Sequence, residues 1–220
     1  MQELLLYFMD CVWQFFSSDC TKYGQNVLSP KARFALTKIA KIRDPAADDF
    51  NSTKPGAKEE SSLGVPDLTD DVQLDSESSL FGLAARVTGM ESLTFLATVL
   101  RSLKPRLGQR LPGSQGRFIL AFFSEIVDVV PELRWFVYKN ISARLFDKRL
   151  AAMTKKMSST KWDAKEILSQ HNKYIDELVK DLNILSTRID GLGASRLPSV
   201  AYQTIWAEVL QQINAEFLNG

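Results

Sequence analysis

The amino-acid sequence predicts an all-α fold. Apolar residues recur three and four positions apart in one stretch after another, which is the period of a helix buried on one side. No stretch of useful length alternates apolar and polar residues as a strand would. Hydrophobic residues make up 45% of the 220 positions and aromatic residues 10%, so most of the chain can bury a core.

The first 42 residues predict two N-terminal helices. Residues 2–17 carry a broad apolar stripe, made of Leu5, Leu6, Met9, Val12, Trp13 and Phe16. A second helix runs through Ile42, with Ser29 as its N-cap and Pro30 in its first turn, where a missing N–H costs nothing.

Residues 43–79 predict a disordered acidic linker. Asp, Ser, Pro and Gly dominate this stretch, and it shows no apolar period. Between Asp44 and Glu77 ten acidic residues face two lysines, a net charge of −8. The net charge of the whole chain is only +1, so this negative stretch is balanced by basic residues elsewhere. The acidic linker could therefore shield those basic residues. Such a total gives no overall attraction to nucleic acid, and we expect no nucleic-acid partner.

Helical spacing returns at residue 80 and defines a domain over 80–220. A first helix ends at Pro105, a loop follows over 107–116, and a strongly apolar helix spans Arg117 to Val130. Pro131 either starts the next helix or kinks the same one. The first of these helices is marked by Leu80, Leu83, Val87, Met90, Leu93, Leu96, Leu100 and Leu103.

The helix after Pro131 has one apolar side and one basic face. Its apolar side holds Trp135, Tyr138, Phe146, Leu150, Met153 and Met157, with Ser142 as the exception. The basic face holds Arg144, Lys148, Lys155 and Lys156. Such a face suits anionic lipid or an acidic partner, and it equally suits a solvated surface or one shielded by the acidic linker.

A heptad seam follows over residues 160–193. Its positions are spaced 3, 4, 3, 4, 3, 4, 3, as in a coiled coil. They are Leu168, His171, Ile175, Leu178, Leu182, Leu185, Ile189 and Leu192. Thr160 and Asp163 resemble a capping box at its start, and the glycines at 191 and 193 are suitable stops. A last helix, from about Pro198 to Leu218, presents Ile205, Trp206, Val209, Ile213 and Phe217.

His171 is the only histidine, and it allows two interpretations. A metal-binding helix would need a second ligand three or four residues later, where Tyr174 and Ile175 stand. A polar layer inside the seam needs no such ligand and would penalise wrong registers and partners. The spacing favours the polar layer over catalysis or metal binding.

No other pattern predicts chemistry. The sequence has no phosphate-binding glycine loop and no nucleophile elbow, and the two cysteines, Cys11 and Cys20, match no zinc or disulfide framework. We expect no enzyme activity and no cofactor. The absence of a basic n-region and of a run of 18 apolar residues leads us to expect a cytoplasmic protein.

Three stretches resemble a known family. They are "FLATVLRSLKPRL" (95–107), "KWDAKEILSQHNKYIDELVKDL" (161–182) and "LPSVAYQTIWAEVLQQINAEFLNG" (197–220). Together they are similar to the C-terminal part of the syndetin family over about residues 80–220. The motif residues that carry the likeness are Trp162, Asp163, Lys165, Glu166, Ser169, Gln170 and Asn172.

The resemblance implies an elongated antiparallel helical bundle of the multisubunit-tether type, without catalytic residues. It implies a subunit of the endosome-associated recycling protein complex, which tethers vesicles and returns internalised cargo to the plasma membrane. The implied partners are the other subunits of that tether and SNARE proteins, and the implied location is recycling endosomes and trans-Golgi membranes. The family continues on both sides of the matching region, so we expect this chain to be a fragment.

Overall fold

The computed structural model describes residues 2–43, 72–110, 113–160, 172–193 and 197–219. Within those ranges the chain forms eight α-helices, two short 3-10 turns and no strand, so the all-α prediction is confirmed. Two compact units divide the chain, Met1–Asn140 and Ile141–Gly220. The helices are α1 (Gln2–Trp13), α2 (Ser17–Tyr23), α3 (Pro30–Arg43), α4 (Leu83–Arg110), α5 (Ser114–Glu125), α6 (Val130–Ser159), α7 (Lys173–Asp190) and α8 (Ser199–Asn219).

The N-terminal stretch differs from the predicted pair of helices. The first helix ends at Trp13, the chain turns over residues 14–16, and the short helix α2 follows. The Phe16 ring packs edge-on against Trp13, with ring centroids 5.2 Å apart, and fixes this turn. The helix α2 was not predicted because its sequence, SSDCTKY, has almost no apolar period.

The predicted cap of α3 is confirmed. Ser29 Oγ accepts a hydrogen bond of 3.1 Å from the Ala32 amide, in the N-cap arrangement. Ser29 also donates to the Glu132 carboxylate twice, from its backbone N–H at 2.6 Å and from its hydroxyl at 2.8 Å. The cap residue therefore joins the start of α3 to the first turn of α6.

The helix α4 passes through Pro105 and ends at Arg110, so the predicted stop at Pro105 is wrong. Proline removes one backbone hydrogen bond, to the carbonyl four residues earlier, but Pro105 is exposed near the helix end, where water can serve that carbonyl. The predicted loop over 107–116 is correspondingly shorter, because residues 107–110 belong to α4 and residues 114–116 to α5.

By length and composition alone, α4 is also apolar enough to cross a membrane. Its sequence nevertheless behaves as that of a core helix of the first unit. Buried residues recur along one side at helical spacing, and one of them is an arginine engaged in an ion pair. The buried side consists of Leu83, Arg86, Val87, Gly89, Met90, Leu93, Ala97 and Leu100.

Pro131 starts a helix rather than kinking one. The predicted helix over Arg117 to Val130 is divided into α5 and a 3-10 turn at Val127–Val129, and α6 begins at Val130. Pro131 is therefore in the first turn of α6, where its missing N–H leaves no hydrogen bond unmade.

The buried side of α6 changes along the helix. In the first unit Leu133 and Val137 are buried, whereas the buried residues of the second unit include Ile141, Phe146, Leu150, Met153 and Met157. Trp135 belongs to the predicted stripe but is 42% exposed, because the first turns of α6 bury a different side. Ser142, the polar exception, is fully buried.

The second unit contains the end of α6 together with α7 and α8. Gly191 donates its N–H to the Thr187 carbonyl at 3.0 Å as α7 ends, which confirms the predicted stop. Ile205, Val209 and Ile213 of α8 are buried as their spacing predicts, whereas Trp206 is half-buried and Phe217 is exposed. The predicted acidic linker falls mostly on residues 44–71, outside the described residues, and there it stays a prediction. Over residues 72–79 the prediction of disorder is wrong, because Glu77–Ser79 form a 3-10 helix and the Leu74 carbonyl accepts a hydrogen bond from the buried Arg86.

Candidate interaction surfaces

The C-terminal half of the heptad seam packs inside the second unit. Leu185 and Ile189 are buried, and Leu168 and His171 lie outside the described residues. The polar-layer interpretation of His171 therefore stays a prediction. The remaining positions, Ile175, Leu178, Leu182 and Leu192, are half-buried.

Within the described residues the seam helix begins later than the predicted start at Thr160, and the predicted capping box itself stays a prediction. The described part of α7 begins at Lys173, and Asn172, with an extended backbone, occupies its N-cap position. Thr160 donates its hydroxyl to the Lys156 carbonyl at 2.8 Å, so its side chain contacts the last turn of α6. Asp163, the expected partner of Thr160, lies outside the described residues.

Two ion pairs join α7 to α6. Arg149 donates to Asp181, and Lys156 donates to Glu177. As α6 advances from 149 to 156, its partners on α7 run backwards from 181 to 177. These two helices are therefore antiparallel neighbours, and acidic side chains of α7 face the basic side of α6.

The ion pairs with α7 reduce the charge that the predicted basic face of α6 can offer to a partner. Lys156 is engaged with Glu177, Lys148 and Lys155 are exposed, and Arg144 is half-buried. Part of the positive charge that could attract anionic lipid or an acidic partner is used within the unit. Intramolecular screening by α7 was not foreseen, although Glu177 and Asp181, one turn apart, offered a signal for it.

A hydrogen bond also connects α6 to α8. Thr154 donates its hydroxyl to the Glu216 carboxylate at 2.8 Å and to the Leu150 carbonyl at 3.0 Å. The helix α6 thus contacts both other helices of its unit through polar side chains. These contacts lie beside its buried residues Leu150 and Met153.

The motif that carries the family likeness falls mainly on residues whose structure is not described. Asn172 is the exception, and it stands at the N-cap of α7 without a side-chain cap hydrogen bond. The other motif residues lie outside the described ranges, namely Trp162, Asp163, Lys165, Glu166, Ser169 and Gln170.

A buried ion pair in the first unit was not predicted from the sequence. Arg86 on α4 is 0% exposed, and its Nε donates to Asp19 Oδ2 on α2 at 2.8 Å. The same guanidinium donates to the carbonyls of Leu74 and Phe81 in the turn before α4. Buried charges need such partners, and here one arginine serves an acid and two carbonyls.

Cys20 is buried beside this pair. Burial raises the pKa of its thiol well above the ordinary value of 9.0, the charge of Asp19 raises it further, and Arg86 opposes both effects to a smaller extent. A thiol that stays protonated is a poor nucleophile. Cys20 therefore serves as a core residue.

A second polar cluster joins α4 to α6. Glu91 accepts hydrogen bonds from Arg134 Nε, at 2.8 Å, and from the Tyr138 hydroxyl. Burial, followed by the hydrogen bond to the charged Glu91, raises the pKa of Tyr138. The cluster keeps the tyrosine neutral and holds it as a structural donor.

The described part of the chain contains no group of three or more His, Cys, Asp or Glu side chains that could hold a metal ion. The clusters that it does contain are ion pairs and hydrogen bonds between helices. What these arrangements can do chemically is hold helices in place.

The outer side of α4 carries an apolar stripe that the sequence reasoning missed. Phe95 is 71% exposed, and Val99 and Leu103 are each 37% exposed. Leu103 had been assigned to the core stripe of this helix. Phe95 and Val99, four residues apart and off that stripe, were the signal for a second face.

Comparisons with known proteins point to one family. The family described as "Syndetin, C-terminal" matches residues 80–220. Across the whole chain, identity is 31% to syndetin of Gallus gallus, 30% to that of Rattus norvegicus and 29% to that of Mus musculus. The chain spans about a quarter of these relatives, 24% of the first and 23% of the other two.

No solved structure matches this chain. The family match begins at residue 80, where the predicted C-terminal domain also begins, and the similarity to the relatives extends through the N-terminal helices as well. The chain therefore belongs to the syndetin family and contains the region that defines its C-terminal part.

Proposed function

We propose that this chain is part of a non-enzymatic subunit of a vesicle-tethering complex. The complex would act in endocytic recycling, from endosomes to the plasma membrane, and in retrograde transport. The observation that carries the proposal is membership of the syndetin family over residues 80–220. We place the protein on the cytoplasmic side of recycling endosomes and trans-Golgi membranes.

The architecture supports a role in protein contacts. In each unit, polar side chains join neighbouring helices, such as Glu91 between α4 and α6 in the first and Asp181 against α6 in the second. Such cross-links give rigid helical surfaces, and rigid surfaces bind partners at a lower entropic cost. We propose that these surfaces bind other subunits of the tether and SNARE proteins.

Co-purification of the intact gene product tests the proposal. The tagged full-length protein, expressed in its own cells at its natural level, should co-purify with other tether subunits in stoichiometric amounts. A tagged cytosolic protein of similar size is the control. Absence of every such subunit from the purified material, with the protein intact, would contradict the proposal.

SNARE binding and location need separate measurements. Purified tether complex should bind immobilised SNARE cytoplasmic domains more strongly than a scrambled helical control. Fluorescence microscopy should place the full-length protein on compartments that contain recycling cargo. A uniformly diffuse signal, with the complex assembled, would contradict the proposed location and leave subunit assembly standing.

A peripheral membrane-binding module is the alternative. It would use the basic face of α6, formed by Arg144, Lys148, Lys155 and Lys156, on anionic lipid. The ion pair between Lys156 and Glu177 reduces the charge available for this role. Vesicle flotation decides between the two functions.

A further inference from the structure

We propose that the outer side of α4 is a docking surface for an amphipathic helix of a partner protein that carries acidic residues at one end. The surface consists of Phe95, Val99, Leu103, Arg106 and Arg110. This proposal rests on the proposed function. It assigns one of the helix-mediated contacts of that function to a single helix face and to a partner with acidic residues.

The five residues lie on one narrow strip. At 100° per residue they fall within about 80° of the helix circumference, and at 1.5 Å per residue they extend over about 22 Å. Phe95, Val99 and Leu103 are the apolar part, and Arg106 and Arg110 continue the same strip toward the helix end. A strip of this width matches the contact between two packed helices.

The flanks of the strip can be covered by protein at little cost. Thr88, Thr98 and Ser102 donate their hydroxyls to carbonyls of their own helix, at 2.8, 2.9 and 2.7 Å. When a partner covers these hydroxyls, their donors keep an acceptor. A helix contact that excludes water therefore leaves no hydroxyl without a hydrogen bond. This property favours a protein partner over a wet lipid headgroup layer.

The charge of the strip points to an acidic partner. Residues 92–110 contain four basic residues, Arg101, Lys104, Arg106 and Arg110, and no acidic residue. Arg101 turns inward to Asp128 and the Val127 carbonyl, and Lys104 lies 5.1 Å from the centre of the Phe123 ring.

Arg106 and Arg110 differ from Arg101 and Lys104 in having no such partner among the described residues. Both are exposed, and neither has an ion pair with any other residue whose position the structure gives. The apolar part of the strip thus ends at two exposed cations, and no acidic side chain in the described ranges pairs with either of them. Complementary acids on the partner would be placed beside these two guanidinium groups.

A designed peptide tests the surface. The probe is a hydrocarbon-stapled helix of about 15 residues, with leucines four and three apart on one side and glutamates at one end. Its fluorescence anisotropy is measured with the purified 220-residue chain. F95S/L103S should weaken binding by about tenfold or more, since truncated anchors in the centre of an interface have effects of this size.

Charge reversal separates this surface from a general apolar contact. R106E/R110E should weaken binding of the glutamate peptide, and a matched peptide with lysines in place of glutamates should recover it. L120S is the matched control, because Leu120 is also an exposed leucine, 58% exposed, but lies on α5. Its affinity for the glutamate peptide should equal that of the unchanged chain, and circular dichroism should confirm the fold of each variant.

Four results would overturn the proposal. The first is binding that ignores R106E/R110E, and the second is an equal loss of binding in L120S. The third is a dimer in sedimentation that F95S abolishes, because the surface would then bind a second copy. The fourth is flotation with phosphatidylserine vesicles that F95S/L103S abolishes. A negative peptide result leaves co-purification of the full-length tether unaffected, so the two proposals fail separately.

Discussion

Arg86 joins three segments of the first unit with one guanidinium group. It pairs with Asp19 of α2 and donates to carbonyls of Leu74 and Phe81, just before α4. Leu80 and Phe81 have positive φ values of 53° and 56°, which residues with a Cβ rarely adopt. Arg86 donates to the Phe81 carbonyl within this turn and so contributes to holding it.

Replacing Arg86 by methionine should strongly destabilise the first unit. The change leaves the Asp19 carboxylate buried without the guanidinium, and breaking a buried pair in this way costs about 3–5 kcal/mol. The Asp19→Asn/Arg86→Met double variant should be more stable than the sum of the single effects predicts. Urea unfolding followed by circular dichroism measures all three. Strict additivity would show that the two side chains do not interact.

Cys20 makes the stability of the chain depend on alkaline pH. Its folded pKa is raised, so the folded protein keeps the proton while the unfolded chain loses it above the ordinary value of 9.0. The contribution of this residue is therefore complete below pH 9.0 and is lost as the pH rises. Above that value the free energy of unfolding should fall by about 1.4 kcal/mol per pH unit for this group.

Urea unfolding between pH 8 and 10, on the unchanged chain and on Cys20→Ala, measures this effect. In Cys20→Ala the free energy of unfolding should fall less steeply with rising pH, whatever stability the substitution removes at neutral pH. The Cys11→Ala variant is the control and should keep the steep decline. Equal slopes for the unchanged chain and Cys20→Ala would contradict the assignment to Cys20.

At the scale of single helices, the start of α3 depends on Ser29. Substitution by alanine removes the N-cap hydrogen bond to Ala32 and the hydroxyl bond to Glu132, and it should cost about 1–2 kcal/mol. Ser29→Thr keeps the hydroxyl that makes both hydrogen bonds, so it should lose much less stability. Thermal unfolding compares the two variants. A threonine as damaging as alanine would place the effect in packing.

The contact between α6 and α7 can be measured by a double-mutant cycle on Arg149 and Asp181. The side chains of Arg149 and Asp181 are 26% and 34% exposed, so their coupling should be about 0.2–1 kcal/mol and should shrink with added salt. The more exposed pair of Lys156 and Glu177 should couple more weakly. Zero coupling for Arg149 and Asp181 at low salt would show that the pair is incidental.

The spacing of apolar residues predicted the helices that bury one continuous stripe. It failed where helix ends or tertiary packing determined the structure. The end of α7 at Gly191 and the cap of α3 at Ser29 follow directly from residue types. The stop at Pro105 was wrong because an exposed helix end tolerates a lost hydrogen bond. The exposure of Trp135 could not be predicted, since it depends on which side of α6 each unit buries.

The interaction surfaces were less predictable than the helices. Basic residues of α6 were read as one face, but pairing with α7 depends on tertiary contacts that no local pattern contains. The two seam residues that are buried, Leu185 and Ile189, had the expected spacing. The strip on α4 was hidden because Leu103 fits two helical stripes at once.

At the scale of the whole molecule, the near-neutral total of +1 arises from strongly charged parts of opposite sign. Residues 101–161 contain thirteen basic and four acidic residues, a net charge of +9. Acidic side chains of α7 already take up Arg149 and Lys156. Lys148 and Lys155 have exposed side chains on the same helix, and a membrane role of α6 is tested at these two lysines.

We expect the chain to remain unbound in flotation with phosphatidylcholine–phosphatidylserine vesicles at about 150 mM salt, where charges are screened beyond about 8 Å. Each basic residue near an anionic surface contributes about 1 kcal/mol, so two lysines raise binding only about 30-fold over a very weak encounter. At low salt, weak binding should appear and should fall in Lys148→Ala/Lys155→Ala. The matched control, Lys31→Ala/Lys41→Ala, changes two exposed lysines of α3 and should leave that binding unchanged. Strong flotation at about 150 mM salt that is lost in Lys148→Ala/Lys155→Ala but kept in the control would contradict this expectation and would establish the basic face of α6 as a lipid-binding surface. Flotation that does not change with salt would argue against the basic face, because salt screens the attraction between exposed charges.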